Sequence, residues 1–175
     1  MRSLSVDRML NYQELEKLKL FFYDGKKEPT LEQVQKLLND ASSDTLQKMN
    51  EAVLFGKTSN SSKIISKLLM EGTNPISILR SLMIYLKRVQ KTNVEIKKGA
   101  SFEEAIKELR PAVFWKEKDN FKIHCKHWSL IRAKRALNKL LKAEISCKTN
   151  SKLSNVICER TVLQITKDSQ LFYNH

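Results

Sequence analysis

The feature that most constrains this chain is the way helix starts and helix stops alternate along it, with little sequence left between them. A helix start needs a side-chain acceptor for its free N–H groups, and a residue three places on can return the bond. Asn11 with Glu14, Thr30 with Gln33 and Ser101 with Glu104 have this spacing, and Asn74 stands directly before Pro75, the residue best suited to a first helical position. Gly56, Gly72 and Gly99 follow the last apolar residue of periodic runs, where a glycine closes a helix at little steric cost. Elsewhere such residues are scarce, with four Gly and three Pro in 175 residues. The expected fold class is therefore all-α, a bundle of helices joined by short turns.

The apolar residues fill in the faces. Leu15, Leu18 and Phe22 lie on a first helix, and Leu31, Val34, Leu37 and Leu38 on a second. The polar stretch "NDASSD" then reads as a linker, which puts a domain boundary near residue 40. Leu46, Met49, Val53 and Leu54 belong to a helix ending at Gly56, and Ile64, Ile65, Leu68 and Leu69 to one ending at Gly72, a pair expected to form a hairpin. From Pro75 a long helix carries Ile78, Leu79, Leu82, Leu86 and Val89 towards Lys98, and a shorter one carries Phe102, Ala105, Ile106 and Leu109. Two short helices are expected between Pro111 and Trp128. From Ser129 a long helix presents Ala133, Leu137, Leu140, Leu141 and Glu144 on one stripe. "KLSNVICERTVLQI" is rich in β-branched residues, but no partner strand is evident, so it is expected to be helical, with residues 168–175 as a frayed tail.

"LFGKTS" contains the Gly-Lys-Thr triplet that ends a nucleotide-binding P-loop. Glu51 stands where the opening glycine belongs, and a helical run rather than a strand leads in, so Gly56 is expected to stop a helix and no nucleotide site is assigned.

The formal net charge is +13, which attracts nucleic acid, anionic membranes or acidic proteins without choosing among them. Residues 111–148 hold ten Lys or Arg against three acidic residues, a net of +7. Cys125, Cys147 and Cys158 make no disulfide framework, and the N-terminal residues have no apolar core for secretion, which predicts a reducing cytoplasm. Arg80 and Lys87 interrupt the most apolar helix, so no membrane span is expected.

His124, Cys125 and His127 are the one cluster of metal-ligand types, but a structural zinc site needs a second short pair, so no metal or other cofactor is assigned. No Ser, Cys or His pattern forms a nucleophile elbow, so no catalytic residue is assigned. Phe114, Trp115 and Trp128 read as packing or interface anchors. If the chain were instead a free-standing basic helical DNA-binding protein, Arg132, Lys134, Arg135 and Lys139 would be its contacts.

Taken in order, "DRMLNYQELEKLKLFF", "TLEQVQKLLNDASS", "LLMEGTNPISILRSLMIYLKRV", "LRPAVFWKEKDNF", "HWSLIRAKRALNKLLKAEISCKT" and "ICERTVLQI" resemble the delta subunit of the bacterial DNA polymerase III clamp loader, in its alphaproteobacterial form. The likeness is collinear from Asp7 to about Ile165. It implies that residues 1–40 end the family's small helical second domain, that 41–167 form its helical collar, and that 168–175 are a tail. It also implies partners: the delta-prime and gamma/tau type subunits, with DNA met indirectly through the complex. The family's delta does not hydrolyse ATP. Its clamp-gripping N-terminal domain is expected to have no counterpart here, so the chain by itself is not expected to bind the sliding clamp.

Overall fold

A computed structural model describes residues 41–110, 112–113 and 115–173, together with Glu16 and Lys19, both helical. The caps at Asn11–Glu14 and Thr30–Gln33, the helices they were expected to start apart from Glu16 and Lys19, and Phe114 lie outside the described residues. The chain divides into two compact units, Met1–Asp44 and Thr45–His175. The elements below belong to the second, apart from the first turn of α1.

All regular structure among the described residues is helical. The helices are α1 (Ala41–Leu54), α2 (Thr58–Met70), α3 (Pro75–Lys97), α4 (Phe102–Lys107), α5 (Lys118–His127), α6 (Leu130–Thr149) and α7 (Ser154–Tyr173). Short 3-10 turns at Trp115–Glu117 and Ser151–Leu153 precede α5 and α7.

The starts and stops are built as their residues require. Asn74 accepts from the Ile76 N–H at 2.8 Å ahead of Pro75. Ser101 and Glu104 form a reciprocal capping box, and Ser129 accepts from the Arg132 N–H. At the other ends Gly56 and Gly72 take φ of 70° and 81°. In the first case the Lys57 N–H reaches the Ala52 carbonyl at 2.9 Å and the Gly56 N–H reaches Val53 at 3.0 Å, the paired bonds that satisfy the last carbonyls of a helix.

Three long helices make the trunk, since α3, α6 and α7 each touch the other two. Ala133, Ala136 and Ala143 are buried along α6, and these small side chains let α3 approach closely along their broad interface. α4 and α5 lie on α3. The interior is filled by Val53, Ile65, Leu79, Leu82, Leu86, Phe121, Trp128, Leu140, Val162 and Ile165. Each such side chain taken out of water contributes about 1.5–3 kcal/mol.

Several expectations change on contact with this packing. Ala41 to Asp44, read as linker, form the first turn of α1. Leu141 is 52% exposed rather than on the buried stripe of α6, because the neighbouring Leu140 already faces the core and successive helical residues turn about 100° apart. Residues 168–173 are the last turns of α7, with Ser169 buried and Phe172 packed against the core. No described helix is long and apolar enough to cross a membrane.

Candidate functional site

The basic stretch resolves into two kinds of residue. Arg132 and Lys139 are engaged inside the molecule: Arg132 Nη1 donates to the His127 carbonyl at 2.8 Å while its guanidinium lies 4.1 Å from the centre of the Phe172 ring, and Lys139 Nζ meets Asp168 at 2.6 Å. Lys134 and Arg135 are exposed on α6, in a surface that also carries Leu141 and Ile145. Of the four residues proposed to meet nucleic acid, two are therefore committed to holding α6 against the end of α5 and against α7.

The aromatic anchors separate as well. Trp128 is 1% exposed, and its indole Nε1 donates to the Leu54 carbonyl at 3.1 Å, tying the end of α5 to the end of α1. Phe172 meets it edge-on at 5.3 Å, and Asn93 Nδ2 donates to its carbonyl at 2.7 Å. Trp128 is thus a packing residue at the junction of α1, α3, α5 and α7. Trp115 is 71% exposed in its 3-10 turn.

His124, Cys125 and His127 point to different tasks. His124 is fully buried, with Nδ1 2.9 Å from the Tyr85 hydroxyl and the Phe55 ring 4.2 Å away. Burial, with a smaller push from His127, holds its pKa down at about 3, so it stays neutral. His127 stacks on Tyr173 at 4.1 Å. Burial pushes the Cys125 and Cys158 thiols up to about 12, which leaves them as small apolar fillers rather than nucleophiles. No group of three His, Cys, Asp or Glu among the described residues is arranged to hold a metal.

The Gly-Lys-Thr triplet sits where helix α1 closes and α2 begins, beside a cavity of about 460 Å³ that also touches Lys63 and Gln170. A P-loop opens from a strand; this turn is entered from a helix, and Lys57 lies 5.2 Å from the Phe55 ring.

One polar contact escaped the sequence reading. Glu144, on the inner stripe of α6, is 7% exposed and accepts from Arg80 Nη2 at 2.7 Å and Nε at 3.1 Å, and from Lys148 at 2.8 Å. The hydrogen bonds from Arg80, then that from Lys148, hold its carboxyl below the usual range despite burial. The i,i+4 spacing to Lys148 was visible in sequence. The link to Arg80 on α3 is made only by the fold.

No family model matches the chain. It is 39% identical over 70 residues to DNA polymerase III subunit delta of Escherichia coli (strain K12). The likeness is partial. It takes in 40% of this chain and 20% of that relative's length.

Proposed function

We propose that this chain is a non-catalytic assembly part of the DNA polymerase III clamp loader, equivalent to the C-terminal helical part of a delta-type subunit, and so acts in DNA replication. The observation that carries this reading is the 39% identity over 70 residues with a polymerase III delta subunit. The all-helical bundle supports it, as does a Gly-Lys-Thr triplet that closes a helix, which suits a subunit without ATP hydrolysis. In this reading residues 1–40 end the helical second domain, and the bundle from α1 to the end of α7 forms the collar. The collar packs beside the delta-prime and gamma/tau type subunits, and Trp115, exposed ahead of α5, is an anchor for such a neighbour. DNA is met through the complex.

The test is co-purification of tagged chain with the other loader subunits of the same organism in moderate salt, weighed by native mass spectrometry. Stoichiometric incorporation in place of delta is expected, and it should survive Lys134→Glu with Arg135→Glu. A folded chain that stays outside the complex would overturn the reading. If that chain also bound DNA with a steep salt dependence that the double variant abolished, direct DNA binding would replace it.

A further inference from the structure

Ile84, Lys87 and Lys91 follow one another at i, i+3 and i+7 along an exposed stripe of α3. The chain leaving α4 lies opposite and is fastened to that stripe. Lys91 Nζ donates to the Glu108 carbonyl at 3.3 Å, and Arg110 Nη1 donates to the Lys107 and Leu109 carbonyls at 3.1 and 2.9 Å. Between the two lies a cleft of about 310 Å³, room for one large side chain.

The cleft is apolar at its base and cationic at its edge. Leu109 is buried in its floor, Ile84 stands 51% exposed at one side, and Lys87, Lys91 and Arg110 surround the opening. Arg88 also lines it. Glu108 is the single carboxylate among these residues, so four cations against one anion leave a net of +3.

Arg88 deepens the asymmetry. It is 9% exposed, with its guanidinium 5.7 Å from the Tyr85 ring centre and 5.4 Å from that of Phe121, and its Nε and Nη2 have no hydrogen-bond partner. A guanidinium stays charged in a protein. Glu117 acts on it without a hydrogen bond, so the positive field persists beside the cleft.

We propose that the α3/α4 cleft docks an acidic peptide segment of a partner protein through one large apolar side chain. The apolar group fills the space over Leu109 beside Ile84, and flanking carboxylates meet Lys87, Lys91 and Arg110. A nucleic-acid backbone would satisfy the cations but leave the apolar floor uncovered, and an uncharged apolar peptide would leave the cations unmatched. Only the combined chemistry complements both parts. The inference uses the isolated chain and does not rest on the clamp-loader reading.

Fluorescence anisotropy of the full chain with fluorescein-labelled Asp-Asp-Glu-Phe-Glu-Asp tests it. Saturable binding is expected, weakened about tenfold or more by Lys91→Glu or Arg110→Glu, by about the same factor when the peptide's Phe is replaced by Ala, and unchanged by Lys142→Glu on α6; about tenfold corresponds to about 1.4 kcal/mol. The substituted positions are exposed, so circular dichroism should show an unaltered fold. Absence of saturable binding would overturn the proposal, as would equal binding of the Ala peptide or indifference to both cleft substitutions. An unlabelled single-stranded oligonucleotide that binds where the peptide does not, and loses affinity with Lys91→Glu, would assign the cleft to nucleic acid instead.

Discussion

Among the described glycines, replacing Gly56 with Ala should be the most damaging, and the reason can be separated into two parts. The first is conformational. Gly56 has φ of 70°, where an added Cβ crowds the following carbonyl at a cost of about 1–2 kcal/mol. The second is packing. A Cβ there would lie 2.5 Å from both the Cα and the backbone N of Gln170, so the relief must come from the α7 main chain, not from a swinging side chain. Forcing a well-packed helix aside costs about 1–3 kcal/mol. Ala also restricts the unfolded chain, which returns about 0.4–1 kcal/mol, leaving a net loss of about 1–4 kcal/mol. Gly72 and Gly99 supply the control, since both have positive φ but nothing within 4 Å of an added Cβ. They isolate the conformational part, expected at about 1 kcal/mol after the same correction. At about 2–4 °C per kcal/mol for a chain of this size, Gly56→Ala should lower Tm by about 8 °C and the other two by about 3 °C. Thermal unfolding followed by far-ultraviolet circular dichroism, with urea midpoints as a second scale, would measure the difference. If Gly56→Ala lost no more than Gly72→Ala, the close approach of α7 to this turn would not be what limits the position.

Three further outcomes follow from described contacts. Trp128→Phe removes the donor to the Leu54 carbonyl and should cost about 1–3 kcal/mol in urea unfolding; an unchanged midpoint would mean that this bond contributes nothing. His124 is held neutral with its pKa near 3 against 6.5 unfolded, so the unfolded state takes up a proton first and stability falls as pH drops from about 6.5 towards 3. By pH 5 the loss should reach about 2 kcal/mol, and His124→Gln, which keeps an acceptor for Tyr85, should flatten the dependence between pH 7.5 and 5, whereas an equally steep decline in the variant would place the titration elsewhere. Glu144→Gln weakens the bonds to Arg80 and Lys148 and should cost about 1–3 kcal/mol, with Arg80→Met in the same chain recovering part of it; additive losses would show that the two groups do not act as a pair.

What could be read beforehand was what neighbouring residues decide among themselves. The Asn74, Ser101 and Ser129 starts and the Gly56, Gly72 and Gly99 stops need only a few residues on either side, and all of these hold in the folded chain. Residues that depend on distant partners were not legible. Trp115 and Trp128 look alike in sequence, yet one is exposed and the other closes the junction of four helices, because only Trp128 comes within reach of Leu54 and Phe172. The spacing placed Glu144 on the inner stripe of α6, but its partner Arg80 comes from α3 and is brought to it only by the fold. The α3/α4 cleft was invisible for the same reason: Ile84 and Lys91 lie on one helix, whereas Leu109 and Arg110 reach them through the turn after α4.

The position of α7 in the bundle bears on how the molecule is made. This helix touches α2, α3 and α6, yet it is the last of the described helices to be synthesised. A nascent chain that has reached Thr149 therefore has the apolar faces of three helices waiting for a common neighbour still inside the ribosome. Chaperone capture or aggregation competes with folding in that interval, so a pause in translation between α6 and α7 should lower the yield of native protein more than a pause of equal length ahead of α2.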